Sequence, residues 1–180
     1  MNKKLILLVL PFFFLAGCNG NDDPGADETR TYEDYKATHY RKIDDFYSGE
    51  GKYCIYFYQV SCSHCTNIKS DVFNYMDAQD AGKKSYFNNF YFYCLSGSST
   101  GEGKLERGTF DYKSPSNLDT GTSWSVQEIE SFVKNMQTNK VNTTAETCLF
   151  GTPSLYIIEN NCFGDLVYGE TNIKNFLGTH

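Results

Sequence analysis

The segment Tyr53–Val60 (YCIYFYQV) is apolar or aromatic at every position but Gln59, and it runs almost directly into Cys62-Ser63-His64-Cys65. A strand with one wet face alternates apolar and polar residues. A run without that alternation has to be covered on both faces. Phe87–Leu95 (FNNFYFYCL) is a second run of this kind. Two such strands need helices on either side of them, so the chain is expected to build a central sheet flanked by helices, an α/β architecture. With 14 Tyr and 14 Phe in 180 residues, there is bulk enough for one real core.

Helical signals fall between and around these strands. Tyr35, His39, Ile43 and Phe46 with Tyr47 recur at three- and four-residue spacing, which predicts a helix over 32–47, ended by Ser48-Gly49-Glu50-Gly51. A helix over about 65–81 would turn Ile68, Val72, Tyr75 and Met76 inward. Ser125-x-x-Glu128 has the form of a capping box. It opens a helix expected to face inward with Val126, Ile129, Phe132, Val133 and Met136. Ser154–Glu159 reads as a strand, 160–164 as a turn, Leu166–Tyr168 as a short return strand and Asn172–Leu177 as a terminal helix. The order is αβαβαββα. Residues 96–122 are rich in Gly, Ser and Thr and read as an insertion, since so long a loop is uncommon within a compact domain.

The pair Cys62 and Cys65 has a chemical reading set by its place at a helix start. Two cysteines three apart can close a small disulfide ring. The first sits where unpaired backbone N–H groups and the positive end of the helix stabilise a thiolate. Cys62 is thus the expected nucleophile, and Cys65, one turn in, the shielded thiol that resolves a mixed disulfide. His64 between them would stabilise the thiolate further and make the disulfide a better oxidant. A structural zinc site would want a second CxxC or an HxxxH partner. Neither occurs in the sequence, and no metal or cofactor is expected.

A buried strand running into CxxC, a helix after it, and Gly151-Thr152-Pro153 opening a later hairpin strand together resemble the thioredoxin fold over roughly 33–178. The Cys-x-His-Cys form is similar to that of strongly oxidising periplasmic thiol oxidases and of disulfide isomerases. The resemblance implies that Pro153 is the cis proline facing the CxxC and that Thr152 offers its backbone to an extended substrate segment. Two positions depart from the family pattern. Ser61 stands where many thioredoxins have Trp, and Tyr56 stands where many have a buried acid that handles protons. Asp71 and Glu146 are candidates to replace that acid, whereas Trp124 and His39 read as core or surface residues.

The N-terminus is the other strong signal. Lys3 and Lys4 precede an apolar stretch from Leu5 to Phe14, followed by Leu15-Ala16-Gly17-Cys18. This resembles the lipobox of bacterial lipoproteins, with Cys18 as the lipidated residue. Residues 5–17 number 13, too few for a membrane span, which needs about 20. The expected organisation is a signal peptide over 1–17, a lipidated Cys18 with a flexible polar tether to residue 31, and a domain over 32–180. Attachment at the outer side of the cell membrane follows, with exported protein thiols or disulfides as partners and room for a membrane redox partner. The whole chain carries net charge −6. Without residues 1–17 it has fourteen bases against twenty-two acids, a net of −8 and no basic stripe. Nucleic acid is therefore a poor partner.

Four further cysteines remain: Cys54, Cys94, Cys148 and Cys162. The strand directions that the resemblance implies place Cys54 and Cys162 at the end away from the CxxC, and Cys94 and Cys148 near it. Cys54–Cys162 and Cys94–Cys148 are the pairings expected if the four are bridged; four packed thiols are the alternative. For function, the leading expectation is a membrane-tethered thiol–disulfide oxidoreductase. A non-catalytic thioredoxin-like binding lipoprotein and a copper(I) carrier using Cys62, His64 and Cys65 are the alternatives.

Overall fold

The structure, a computed structural model, describes residues 30–96 and 125–180. The leader, Cys18, most of the tether, Trp124 and nearly all of the expected insertion lie outside the described residues. Four strands, β1 (Lys52–Gln59), β2 (Asn89–Ser96), β3 (Ser154–Glu159) and β4 (Cys162–Tyr168), form one sheet in the order β2-β1-β3-β4. β1 and β2 are parallel; β3 runs antiparallel to both β1 and β4. This mixed sheet has helices on both faces and a CxxC just beyond the end of its central strand, which is the thioredoxin-like arrangement.

Alternation along the strands divides the core in two. Cys54, Tyr56 and Tyr58 of β1 face one way with Phe90, Phe92 and Cys94 of β2. Tyr53, Ile55 and Phe57 face the other way with Tyr93 and Leu95. The first face is covered by α3 (Lys69–Asp80), through Val72, Phe73, Tyr75 and Met76, and by Ile173 and Leu177 of α5 (Glu170–Thr179). The second is covered by α4 (Val126–Thr138), mainly through Met136 with Ile129, Phe132 and Val133 partly buried. The capping box forms as expected: Glu128 N–H donates to Ser125 Oγ at 3.3 Å, and Ser125 N–H to Glu128 Oε2 at 2.8 Å. Val126, expected inward, is 66% exposed.

Several expected elements differ in detail. The helix expected over 32–47 is broken. A 3-10 turn at Tyr32–Tyr35 leads into the single turn α1 (Lys36–His39), and a further 3-10 turn spans Ile43–Asp45. At Tyr40 the backbone extends (φ −81°, ψ 134°) and bridges Phe92 at the outer side of β2. The break lets the segment pass around the sheet edge, so Tyr32 and Tyr35 join the first core and Ile43 and Phe46 the second. The helix after the CxxC is likewise two pieces, α2 (Ser63–Asn67) and α3, joined at Ile68, which leaves helical geometry (φ −107°, ψ 7°). The β3–β4 turn is tighter than expected. Asn160 and Asn161, with φ of 52° and 61°, make a two-residue loop of the kind that fits the twist of a hairpin.

The expected disulfide pairings fail, and the sheet shows why. All six cysteines among the described residues stand as thiols. Cys94 packs in the first core and Cys148 in the second, with the sheet between them. Cys54 lies opposite Ile157 of β3, and Cys162 lies on β4, opposite Glu159. A whole strand separates them, and two strand spacings come to ~10 Å, beyond the ~7 Å that a disulfide spans. Which end of a strand a cysteine occupies sets neither its lateral place in the sheet nor the face it points to.

Candidate active site

Cys62 occupies the cap position of α2, where its backbone is still extended (φ −88°, ψ 110°). Its carbonyl begins the helix, accepting from Cys65 N–H and Thr66 N–H at 3.1 Å each. Its sulfur also accepts from Cys65 N–H at 3.2 Å, so this helix-start donor is shared between the carbonyl and Sγ of Cys62. Cys62 is half-buried and Cys65 is 3% exposed, packed with Tyr56, Ile68 and Val72 in the first core. Burial pushes the Cys65 thiol up to about 12, with its contact to Cys62 adding to the rise. One cysteine of the pair is thus half-exposed and the other is buried and hard to deprotonate.

The loop before β3 faces this pair. The Thr152–Pro153 peptide bond is cis, and the Cys62 thiol donates to Thr152 O at 3.6 Å. Thr152 Oγ1 donates to Gln59 Oε1 at 3.3 Å, tying the loop to the end of β1. Upstream, the Tyr156 hydroxyl donates to Cys148 O at 2.8 Å and accepts from Phe150 N–H at 3.2 Å, which fixes the approach to the loop. Gly151 and Gly169 have φ of 97° and 85°, a region that side-chain-bearing residues avoid, and they bracket the site on two loops. Gly169 N–H donates to Pro153 O at 3.1 Å and starts α5 beside the CxxC. Between these loops lies an open cleft of about 400 Å³ lined by His64, Thr152, Pro153, Tyr168, Gly169 and Glu170 among others.

His64 is 68% exposed and does not stand alone. Its Nδ1–H donates to Glu170 Oε2 at 2.6 Å, and Asn67 Nδ2 donates to the same carboxylate at 3.2 and 3.3 Å. These donors hold the Glu170 carboxyl below the usual carboxylate range, His64 foremost. Neither Glu170 nor Asn67 is marked in the sequence. Glu170 lies 106 residues from His64, and the terminal helix was expected to start only at Asn172, leaving Glu170 in a loop. The structure thus brings Cys62, Cys65, His64, Thr152 and Pro153 together and adds Glu170 and Asn67.

The candidates for a proton-handling acid sit elsewhere. Asp71 pairs with Lys174 at 3.4 Å between α3 and α5, and Glu146 is exposed, accepting from Thr143 Oγ1 at 2.8 Å. Tyr56 is fully buried below the dithiol, its hydroxyl pushed well up by burial and then by the neighbouring Tyr32 and the two sulfurs. His39 is a core residue, 3% exposed, donating from Nδ1 to Phe90 O at 2.6 Å and facing Asp80 through Nε2 at 3.2 Å. Among the described residues no group of three or more His, Cys, Asp and Glu side chains gathers as a metal site would, and no helix is long and apolar enough to cross a membrane.

No protein-family model and no curated protein matches this chain. Solved structures do. Thioredoxin f2 of Chlamydomonas reinhardtii is 9% identical with a TM-score of 0.37, over 79% of this chain and 95% of that one. A thioredoxin of Malassezia sympodialis (Mala s 13) is 12% identical with a TM-score of 0.34, over 83% of this chain and 88% of that one. The assignment of the fold stands on this chain's own strand order, register and placement of the CxxC.

Proposed function

We propose that the protein is a thiol–disulfide oxidoreductase that works through Cys62 and Cys65, exported and held at the outer side of a membrane by lipid on Cys18. One observation carries the chemical part: a half-exposed sulfur that receives a helix-start N–H at 3.2 Å, directly above a buried partner thiol. In the reducing direction, the Cys62 thiolate attacks a substrate disulfide. One substrate sulfur leaves as a thiolate and takes up a proton. Cys65 then loses its proton and attacks Cys62, releasing the second substrate thiol and leaving the Cys62–Cys65 disulfide. The oxidising direction reverses each step, so two electrons and two protons move either way. Backbone at Thr152 and the cleft beside it would receive the extended substrate segment.

The asymmetry of the pair gives a direct check. In the reduced protein, an alkylating agent at neutral or mildly acidic pH is expected to label Cys62 quickly and leave Cys65 unlabelled, read by peptide mass mapping. Labelling of Cys65 first would reverse the two roles. Titration against a glutathione couple then tests the function itself, with a reversible two-electron transition expected. Tyr56 in place of an acid is the feature that favours the non-catalytic binding reading, and a pair that never exchanges with glutathione would decide for it.

The anchor rests on the sequence of residues 1–18. Cys18→Ala is expected to release the protein from the membrane or leave it at precursor size, as seen by fractionation and mass. A variant still membrane-bound at its normal mature size would remove the lipid from the reading.

A further inference from the structure

The helix that bears the CxxC and the terminal helix meet at one carboxylate. Glu170, the first residue of α5, takes hydrogen bonds from both His64 and Asn67, more than a hundred residues away in the chain. Asn67 fixes the carboxylate, and the carboxylate fixes the ring. A histidine whose Nδ1–H is committed to a carboxylate has a set tautomer and a set orientation. His64 lies within the CxxC turn, two residues from Cys62. Glu170 reaches the ring from another helix.

We propose that Glu170 is a positioning residue for the dithiol: it holds His64 in place beside Cys62 and thereby favours the reduced pair. This rests on the oxidoreductase reading above. The energetic route has two links. An oriented imidazolium stabilises the Cys62 thiolate, and stabilising the thiolate stabilises the dithiol against the disulfide, which makes the disulfide the stronger oxidant. If Glu170 works through His64, its effect vanishes when His64 is absent. A residue that merely props up the loop has no such dependence.

The test is a double-mutant cycle read as the equilibrium constant with glutathione. Glu170→Ala is expected to shift the equilibrium toward the Cys62–Cys65 disulfide by several-fold, up to about tenfold or ~30 mV for this couple. His64→Ala is expected to shift it the same way. Glu170→Gln keeps an acceptor for Nδ1 without the charge and should fall between wild type and Glu170→Ala. In the His64→Ala background, Glu170→Ala should change nothing further. An unchanged constant for Glu170→Ala, or the same shift with and without His64, overturns the proposal while leaving the oxidoreductase standing. A wild-type protein that never equilibrates with glutathione overturns both.

Discussion

Replacing Cys62 with serine is expected to abolish exchange with glutathione and with protein disulfides, whereas Cys65→Ser should preserve the first exchange and trap its product. The distinction follows from where the two sulfurs lie. Cys62 is the half-exposed one, between α2 and the Thr152–Pro153 loop. Cys65 is 3% exposed, and burial lifts its thiol to about 12, so it stays protonated until a mixed disulfide forms at its neighbour. Without Cys65 that mixed disulfide has no internal attacker and persists. Incubating reduced Cys65→Ser with oxidised glutathione should give a single adduct of one glutathione per chain on Cys62, seen by intact mass. Adduct formation by Cys62→Ser at a comparable rate, on any of the remaining thiols, would show that the reactive sulfur has been misplaced.

The second large effect is expected far from solvent. Tyr156 on β3 is fully buried, its ring edge-on to Phe46, Phe57 and Phe163, and its hydroxyl holds the backbone at both Cys148 and Phe150. Tyr156→Ala should cost about 3–5 kcal/mol, the usual range for emptying an aromatic site in a core. Tyr156→Phe keeps the packing and removes the two hydrogen bonds, leaving the Phe150 N–H and a carbonyl lone pair buried without that partner, for about 1–3 kcal/mol. Urea unfolding measures both losses. The phenylalanine variant should also show faster hydrogen exchange at the Phe150 amide, since that N–H then lacks its acceptor. Residues 148–150 lead directly into Gly151-Thr152-Pro153, so a loosened strap should weaken binding of an extended peptide more than it slows reaction with small thiols. Equal loss toward both would mean that the strap has no part in holding the loop.

What could be read from the sequence was whatever is encoded locally. The uninterrupted apolar run at Tyr53–Tyr58 marks a strand buried on both faces, and the structure alternates those residues between two cores. Ser125 and Glu128 marked a helix start because the cap is made within four residues. Gly151-Thr152-Pro153 and the CxxC pointed at each other only through the resemblance to a fold, and the chain's topology brings them together. What escaped was relational. Glu170 has meaning only because the last helix begins beside the first turn of α2. The cysteine pairing failed because strand direction says which end a residue occupies, and neither which face it points to nor how many strands intervene. Tyr40 broke a convincing helical period because a backbone pairing with Phe92 outweighed continuation of the helix, and the period itself is consistent with either outcome.

That pairing at Tyr40 has a bearing on self-association. β2 is the outermost strand on its side of the four-stranded sheet, and an outer strand ordinarily presents a row of unsatisfied N–H and C=O groups to any other extended chain. Here Tyr40 lies against Phe92 in parallel bridge geometry, and Arg41 N–H donates to Phe92 O at 3.3 Å, midway along the strand. The Arg41 guanidinium then lies over the rings of Tyr91 and Tyr53, at 4.8 and 5.3 Å from their centroids, placing a charge beside that flank. A second molecule approaching edge to edge would have to displace this segment, along with the Tyr32 and Tyr35 rings packed on one side of it and Ile43 and Phe46 on the other. The N-terminal segment thus guards a strand so rich in aromatic residues that, left bare, it would be a template for cross-β stacking.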